Sequence, residues 1–307
     1  MKKAIITGAT GLVGLAVAKY LSRKGIDVLC LGRNKLTDAE IKNKFGSENI
    51  DYLSLNMEEI LSLPEKINKT GWEPGDSCVF YNFAWGGCDR LTDGSFQEQF
   101  NNAVYSSNAV LTAKKLGCNR IVNVGTLEET FAECYINDAQ DNAQYNFSQV
   151  DYTIAKLASR DMCKMVSYLE KIDYIHTRLS VPLAQDLSKG GYISSVLTKI
   201  AKGESYEKPK NPQLFDIILT EDVAKAYYLI GIKGRNKADY FIGTSQPRTL
   251  RQYFELFEQA KSGDTHNLIN KNSATDNGLF SIDSLVKDTG FALSGNFEDT
   301  INKLNQP

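Results

Sequence analysis

A glycine-rich turn that follows the first apolar segment is the feature that most constrains the fold of this chain. Ala4-Ile5-Ile6 predicts a short buried strand, and the segment from Leu12 onward predicts a helix. Between and just beyond them lie Gly8, Gly11 and Gly14. Glycine permits a tight turn at the first position, close approach of a phosphate at the second, and close packing of helix on strand at the third. This order predicts a dinucleotide site, with an ordinary strand–helix junction as the alternative.

The helix that follows the turn supplies the chemistry for binding a diphosphate. Backbone N–H groups at a helix N-terminus are unpaired and point toward an anion, and the helix dipole favours negative charge there. We therefore expect the dinucleotide to contact the turn and the first helical residues, namely Gly8, Thr10, Gly11, Leu12, Val13 and Gly14.

The end of the second predicted strand indicates which dinucleotide is bound. A carboxylate roughly 20 residues after the glycine turn binds the ribose 2′-hydroxyl of NAD, whereas an arginine accommodates the 2′-phosphate of NADP. Here the strand ends in Leu31-Gly32-Arg33-Asn34, without an acidic residue. The sequence therefore favours NADP(H) over NAD(H), with Arg33 as the charged contact and Asn34 as a second donor. The alternative is that Arg33 is a solvated surface residue.

Strand-like and helix-like segments alternate as far as about Arg178, and shorter elements separated by glycine and proline follow. Such alternation predicts an α/β fold, in which helices cover both faces of a doubly wound parallel sheet of the Rossmann type. We assign residues 1–178 to this dinucleotide-binding domain. Residues 179–307 are predicted to form a smaller α/β C-terminal substrate-binding cap, some of whose strands return to the main sheet.

Composition and charge exclude several other classes of protein. The 307 residues carry a formal net charge of −2 and the positive residues are scattered, so we expect no nucleic-acid partner. The longest apolar stretches fall well short of the roughly 20 residues that a membrane span needs. The apolar run after Met1-Lys2-Lys3 is too short for a signal peptide. We therefore expect a cytoplasmic protein that does not bind a membrane.

Metal chemistry is not expected either. The six cysteines lie far apart in the sequence, and His176 and His266 are the only histidines. Neither a zinc site nor a histidine-based catalytic triad is therefore supported. We interpret the cysteines as reduced and mostly buried.

Tyr152 and Lys156 are the best candidates for proton transfer. Residues four apart share one face of a helix, so the phenol and the ammonium can both face a cofactor. The same spacing occurs in two further pairs, Tyr20/Lys24 and Tyr206/Lys210. The first of these lies at the far end of the helix after the glycine turn and the second in a proline-bounded loop. Neither is placed to meet a nicotinamide ring.

A threonine completes the candidate site. Thr126 follows the predicted strand Ile121–Val124, and open α/β sheets bind their ligands at the carboxyl ends of the strands. Its hydroxyl suits a carbonyl or hydroxyl oxygen of a substrate. An unperturbed tyrosine has a pKa of about 10, but a neighbouring ammonium and a positive nicotinamide favour the phenolate. Tyr152 is therefore predicted to transfer a proton while hydride moves to or from the cofactor.

With these motifs the chain resembles the extended short-chain dehydrogenase/reductase superfamily over essentially its full length. The resemblance is to the branch of nucleotide-sugar epimerases, dehydratases and reductases. It implies that Tyr152 is the acid/base, that Lys156 lowers the pKa of this tyrosine and binds the nicotinamide ribose, and that Thr126 orients the substrate oxygen. It also implies cofactor contacts from Phe83, Ala84 and Asn102, and substrate contacts from Trp85, Thr126, Glu128, Ser180 and Arg248.

The sequence departs from the family pattern at several positions. Leu127 stands where dehydratases carry a proton-donating aspartate, which weakens the dehydratase interpretation although Glu128 remains. Glu129-Thr130-Phe131 replaces the usual Val-Tyr-Gly, and Ser180-Val181-Pro182 replaces Tyr-Gly-Pro, so we expect a specialised sugar pocket. Arg33 in place of aspartate favours an exchangeable NADP(H), as reductases use.

The resemblance makes an NADPH-dependent 4-keto-sugar reductase our first hypothesis, with a nucleotide-sugar 4-epimerase as the close alternative. A hypothesis of another class is a non-catalytic, cofactor-binding sensor or scaffold, against which the intact set of Thr126, Tyr152 and Lys156 argues. The family also implies a homodimer formed through the helices that begin near Gln97 and Tyr152. The alternative is that the apolar faces of these helices belong to the interior of one chain.

Overall fold

The computed structural model describes residues 1–75, 77–87, 95–137, 150–187, 191–262 and 278–295, so that Cys88 and His266 lie outside it. Its strands are β1 (Lys3–Thr7), β2 (Asp27–Gly32), β3 (Ile50–Ser54), β4 (Cys78–Asn82), β5 (Arg120–Thr126), β6 (Asp173–Leu179), β7 (Val181–Leu183), β8 (Leu214–Phe215), β9 (Ile217–Leu219), β10 (Asp239–Ile242) and β11 (Arg248–Thr249). Its α-helices are α1 (Leu12–Arg23), α2 (Asp38–Phe45), α3 (Leu63–Ile67), α4 (Phe96–Lys115), α5 (Leu127–Asn137), α6 (Val150–Glu170), α7 (Tyr192–Lys202), α8 (Thr220–Lys233), α9 (Leu250–Lys261) and α10 (Asp283–Thr289).

In the described part of the chain, seven parallel strands form the main sheet in the order β10-β6-β5-β4-β1-β2-β3. The doubly wound parallel sheet predicted from the sequence is thereby confirmed. The direction of winding reverses between β1 and β4, and in such sheets a crevice opens at the carboxyl ends of the strands on either side of the reversal. The glycine turn after β1 lies at this crevice.

Alternate residues of the strands face two separate apolar layers, because side chains of a strand point to opposite sides of the sheet. On β1, Ala4 and Ile6 pack with α1 and α8, whereas Ile5 packs on the opposite side with α4. All three residues are fully buried. Helices therefore cover both faces of the sheet and leave the carboxyl ends of its strands open for a site.

Two elements that come after residue 179 belong spatially to the main sheet. Strand β10 pairs with β6, and α8 packs against α1. Exposed Arg23 and Glu221 join these two helices through an ion pair at 2.8 Å. Such an exposed pair contributes little, and burial of apolar residues along the helix–helix contact does most of the stabilising.

Helices α7 and α9 form a second, smaller apolar core with the paired strands β7 and β9, and we call this group of elements the cap. Phe254 and Phe257 of α9 are fully buried in it. Truncation of either ring to alanine would cost about 3–5 kcal/mol.

Within the described ranges, no helix is both long enough and apolar enough to cross a membrane. The same residues contain no cluster of three or more His, Cys, Asp or Glu side chains arranged to hold a metal ion.

Candidate active site

The glycine turn after β1 has the close backbone packing that its sequence predicts. Gly8 has a positive φ of 65°, and a Cβ atom there would lie 2.9 Å from the backbone nitrogen of Ala84. A Cβ atom at Gly14 would overlap the carbonyl oxygen of Gly8. The Gly11 N–H donates to that same oxygen at 3.0 Å. Side chains at these positions would push α1 away from the sheet and close the approach to its N-terminus.

The loop after β4 is fixed beside this turn by a threonine. The Thr7 hydroxyl donates to Asn82 Oδ1 at 2.7 Å and accepts the backbone N–H groups of Phe83 and Ala84, each at 3.1 Å. The ring of Phe83 packs edge-on against Tyr227, with 4.7 Å between ring centres. Phe83 therefore turns its side chain toward the core, and its backbone faces the cleft.

A cleft of about 370 Å³ runs between the glycine turn, the end of β2 and the loop after β4. Arg33 lines it at the end of β2 with an exposed side chain, and among the described residues it forms no ion pair. Glu58, from the turn after β3, lines the same cleft. Of the residues predicted to bind the cofactor, the cleft brings together Gly8, Thr10, Gly11, Arg33, Phe83, Ala84 and Asn102. Its lining does not include Leu12, Val13, Gly14, Asn34, Tyr152 or Lys156.

Asn102 of α4 fixes the loop after β4 through two hydrogen bonds to its backbone. Its Oδ1 accepts the Gly86 N–H at 2.8 Å, and its Nδ2 donates to the Gly86 carbonyl at 3.0 Å. In the same loop the Trp85 indole N–H donates to Gln99 Oε1 at 2.7 Å. Gln99 has no exposed surface. These bonds hold Trp85 in the lining of the cleft.

Tyr152 and Lys156 lie one turn apart near the start of α6, next to Trp85. Lys156 is 3% exposed, and its Nζ donates to the Val124 carbonyl at 3.0 Å. Its Nζ also lies 3.8 Å from the centre of the Trp85 ring and 5.7 Å from that of the Tyr152 ring. The rings of Trp85 and Tyr152 meet edge to face at 5.9 Å. Trp85 therefore contacts the tyrosine–lysine pair and also lines the cleft.

Thr126 ends β5, and α5 begins at the next residue. This helix is not among the elements predicted from the sequence. The Thr126 hydroxyl accepts the Glu128 N–H at 3.4 Å, and Glu129 Oε1 accepts the Thr126 N–H at 2.8 Å. These bonds form a variant of the capping box, and the spacing Thr126-x-x-Glu129 is the sequence signal that indicates the helix start.

The carboxyl group of Glu128, at the start of α5, has a raised pKa. Burial raises the pKa of its carboxyl from 4.5 to about 7. A carboxyl group with this pKa is partly protonated at neutral pH, so it can both donate and accept a proton beside Thr126.

A buried polar network beneath Thr126 includes residues to which the sequence reasoning gave no functional role. Glu129 and His176 are fully buried, and Glu129 Oε2 lies 2.8 Å from His176 Nε2. The other ring nitrogen of His176 lies 3.2 Å from the Tyr174 hydroxyl. Burial acts to raise the pKa of Glu129, but His176, Lys156 and the Thr126 N–H together hold it below its usual value. The carboxylate is therefore ionised at neutral pH.

Two residues predicted to contact substrate, Ser180 and Arg248, lie after β6 and at the start of β11, respectively. The Ser180 hydroxyl donates to the Asp216 carbonyl, and the Arg248 guanidinium lies 5.8 Å from the centre of the Tyr253 ring. Asp216 is fully buried and accepts the Thr244 and Ser245 N–H groups at 2.7 and 3.0 Å. Ser180, whose N–H donates to the Ile242 carbonyl of β10 at 2.9 Å, therefore links the main sheet to the segment between β8 and β9, whereas the Arg248 contact lies between β11 and α9.

The parallel sheet, the glycine turn at the head of α1 and the Tyr152/Lys156 pair define an extended short-chain dehydrogenase/reductase. Comparison with family models agrees with this class. The chain belongs to the NAD dependent epimerase/dehydratase family, whose model matches residues 4–243.

Solved structures with the same fold cover nearly the whole chain at low identity. The UDP-glucose 4-epimerase of Thermotoga maritima, solved with UDP-glucose, is 16% identical with a TM-score of 0.73, over 99% of this chain and 97% of that one. The dTDP-glucose 4,6-dehydratase of Bacillus anthracis, in complex with NAD, is 16% identical with a TM-score of 0.72, over 100% and 96%. The UDP-N-acetylglucosamine 4-epimerase of Bacillus cereus is 15% identical with a TM-score of 0.70, over 99% and 96%.

Among curated proteins, human polyprenol dehydrogenase is 27% identical over 170 residues. The match covers 50% of this chain and 51% of that protein, so the chain spans about half the length of this relative.

Proposed function

We propose that the protein is an NADPH-dependent reductase that acts on the 4-keto group of a sugar carried by a nucleoside diphosphate. The observation that carries the choice of a reductase is Arg33, which stands in the cofactor cleft at the end of β2, where an NAD-retaining enzyme has a carboxylate. A cofactor that is consumed in each turnover must exchange freely, and NADPH is suited to this role.

The cleft fits a dinucleotide. The close approach of backbone at Gly8 and Gly14 leaves room for a diphosphate over the N-terminus of α1, where unpaired N–H groups point outward. Arg33 can pair with a 2′-phosphate through two parallel hydrogen bonds. Lys156 is the residue that would hold the nicotinamide ribose. When bound, NADPH supplies a hydride to the carbonyl carbon of the substrate.

The protein residues move and hold the proton in this reaction. The Thr126 hydroxyl donates a hydrogen bond to the substrate carbonyl oxygen, and the Tyr152 phenol donates the proton that converts this oxygen to a hydroxyl. The positive charge of Lys156 then stabilises the phenolate that remains until a proton returns from solvent. Trp85 covers Lys156 and limits access of water to the ammonium.

The nucleotide sugar is placed between residues 1–178 and the cap of residues 179–307. Family membership supports this substrate class, and so does the cap core, which is separate from the core of the main sheet. Glu128, with a pKa near 7, lies beside Thr126 and is suited to bind a sugar hydroxyl.

A second candidate function is nucleotide-sugar 4-epimerisation. Two of the similar structures described above are 4-epimerases of UDP-linked sugars. An epimerase needs the same Thr126, Tyr152 and Lys156 but regenerates its cofactor within each turnover. Glu58 in the cofactor cleft favours this candidate, because a carboxylate there can bind the ribose hydroxyls of NAD.

One assay separates these functions. The full-length protein is incubated with UDP-, dTDP-, GDP- and CDP-linked 4-keto and 4-hydroxy hexoses, and the absorbance of NADPH is followed while products are separated by chromatography. A reductase consumes one NADPH for each 4-keto sugar, whereas an epimerase interconverts 4-hydroxy sugars without net consumption. A long-chain polyprenol with NADP⁺ is included because of the human relative. Turnover of the polyprenol alone would contradict both proposals.

We further propose that the protein acts as a homodimer. Helices α4 and α6 pack side by side and both expose large apolar side chains. These exposed residues are Phe96, Val104 and Leu111 on α4, and Val150, Ile154, Met162, Met165, Tyr168 and Leu169 on α6. A second copy of the same pair of helices would cover them in a four-helix bundle.

A reducing compartment, the cytoplasm, is part of the same proposal. The five described cysteines are free thiols, and Cys30, Cys78, Cys118 and Cys163 are buried. Burial raises the pKa of the Cys163 thiol to about 12, which keeps it unreactive.

A further inference from the structure

We propose that Glu129 and His176 form a buried positioning pair that fixes the direction in which the Thr126 hydroxyl donates its hydrogen bond to substrate. This inference rests on the proposed function, in which Thr126 holds the substrate oxygen. Neither residue of the pair lines the cofactor cleft, and both are fully buried. They act on the reaction through Thr126.

The contacts form a continuous chain from β6 to the catalytic threonine. Glu129 Oε1 accepts the Thr126 N–H at 2.8 Å, and the second carboxylate oxygen lies 2.8 Å from His176 Nε2. Tyr174 contacts the other ring nitrogen at 3.2 Å. Both oxygens of the carboxylate are therefore engaged, and rotation of the Glu129 side chain would break at least one bond.

Gly125 makes room for this pair. A Cβ atom at Gly125 would overlap both Glu129 Oε1 and His176 Nε2. The pair lies directly against the backbone of β5, one residue before Thr126. Because a side chain at this position would displace the pair, its contact with the strand end depends on the glycine.

Lys156 holds the strand end through another contact. Its Nζ donates to the carbonyl of Val124, two residues before Thr126. The ammonium also acts electrostatically on Glu129 and favours its charged form. The Val124 carbonyl is therefore bonded to a positive charge and the Thr126 N–H to a negative charge. These two bonds fix the peptide planes on both sides of Gly125.

Stability alone does not explain a carboxylate paired with an imidazole in the interior of the protein. Removing a charged carboxylate from water costs several kcal/mol, and well-packed apolar residues often stabilise a fold equally well. Positioning does explain it, because one lone pair of the Thr126 hydroxyl is used by the Glu128 N–H. With the backbone fixed, the hydroxyl hydrogen is left to point away from α5, toward the strand end where substrate binds.

The first test does not depend on turnover. Full-length protein labelled with ¹⁵N-threonine and ¹⁵N-histidine reports Thr126 and His176 by NMR, with Thr126→Ser and His266→Gln for assignment. We expect His176→Gln to shift the Thr126 amide resonance. The matched control Asp173→Asn removes the ion pair with Arg120 at the opposite end of β6 and should leave that resonance in place. An unchanged Thr126 amide in His176→Gln would overturn the inference.

The second test uses turnover of the nucleotide sugar identified in the assay above. We expect His176→Gln to lower kcat about tenfold or more, with the Kd for NADPH unchanged. Glu129→Gln keeps an oxygen opposite the Thr126 N–H and should retain more activity than Glu129→Ala. In a Thr126→Val background, His176→Gln should cause no further loss, because the pair acts only through the threonine.

The two tests separate failure of this inference from failure of the proposed function. An equal loss of kcat in both threonine backgrounds shows a general structural role and overturns the inference. If wild-type protein turns over none of the sugars, the proposed function fails, and the NMR result alone decides whether the pair orders Thr126. Thermal unfolding of each variant by circular dichroism identifies those that do not fold. If His176→Gln does not fold, Glu129→Gln is used in its place in both tests.

Discussion

The ammonium of Lys156 lies 3.8 Å from the centre of the Trp85 indole ring, which places a cation directly over an aromatic face. A buried contact of this kind is worth about 2 kcal/mol. Trp85 also lines the cofactor cleft, so one indole contacts both the cleft and the pair formed by Lys156 and Tyr152. In the proposed function, the nicotinamide half of the cofactor lies next to this indole.

Binding of NADP⁺ should therefore change the fluorescence of Trp85. The chain has two tryptophans, so Trp72→Phe leaves Trp85 as the only tryptophan, whose emission is separated from that of tyrosine by selective excitation. We expect NADP⁺ to shift or quench its emission, whereas 2′,5′-ADP, which lacks the nicotinamide half, should bind and leave the emission nearly unchanged. Equal changes with both ligands would show that the indole does not sense the nicotinamide.

Tyr152→Phe should abolish turnover and spare cofactor binding. The phenylalanine ring keeps the edge-to-face contact with Trp85 and removes the proton that the substrate oxygen needs. Loss of a positioned acid typically costs about 10²–10⁴-fold in rate. Steady-state kinetics and NADPH titration measure both quantities. Full activity of this variant would show that another group supplies the proton.

Arg33→Ala should weaken NADP(H) far more than NAD(H). Each hydrogen bond to a charged group contributes about 1.5–3 kcal/mol, which corresponds to roughly a tenfold to hundredfold rise in the Kd for NADP(H). Glu58→Gln is the matched control in the same cleft and should weaken NAD(H) instead. Isothermal titration with both cofactors tests this, and an unchanged preference in Arg33→Ala would refute the 2′-phosphate contact.

Glu128→Gln should stabilise the fold at alkaline pH. Because burial raises the pKa of Glu128 from 4.5 to about 7, ionisation disfavours the folded state as the pH rises through this range. The variant should gain about 1–3 kcal/mol near pH 8 and nothing near pH 4, since one pKa unit corresponds to about 1.4 kcal/mol.

Glu129→Gln should change the stability of the fold in the opposite direction, as a loss at neutral pH. The pKa of Glu129 is lowered in the fold, so its charge adds stability that is present at neutral pH and is lost as the pH falls through the lowered pKa. Urea unfolding at several pH values measures both variants. A gain in stability for Glu129→Gln at neutral pH would contradict the assignment of its charge.

Substitution of the exposed apolar residues on α4 or α6 should disrupt the proposed homodimer. Val104→Glu or Met165→Glu places a charge where the second copy would pack, and we expect a monomer by light scattering with cofactor binding intact. Val286 on α10 is similarly exposed, and Val286→Glu should not alter the oligomeric state. A monomeric wild-type protein would refute the proposed dimer.

The sheet could be predicted from the sequence because its signals are local. The apolar runs around Ile5, Leu29 and Phe80 each predict a buried strand, and glycine at Gly8 and Gly14 marks the close backbone packing observed at the crevice. The choice of Tyr152 and Lys156 as candidates also rested on local spacing and on their place after β5, and their role in proton transfer stays a prediction.

Helix α5 and the contact between Glu129 and His176 were not predicted from the sequence. The Thr126-x-x-Glu129 spacing indicates the start of a helix. It does not show that Glu129 contacts His176, because His176 lies 47 residues further along the chain. Ser180 was assigned to substrate from resemblance, and its contact with the Asp216 carbonyl depends on how a segment 36 residues further along the chain packs on the end of the main sheet.

The sequence by itself determined the alternation of strands and helices, the glycine turn and the presence of a phenol and an ammonium on one helical face. These features depend on backbone conformation and on residues a few positions apart. Only the tertiary structure decided that Trp85 lies over Lys156 and that Glu129 pairs with His176 beneath Thr126. Such contacts join distant segments, and they form only where packing of the sheet and its helices removes water and brings those segments together.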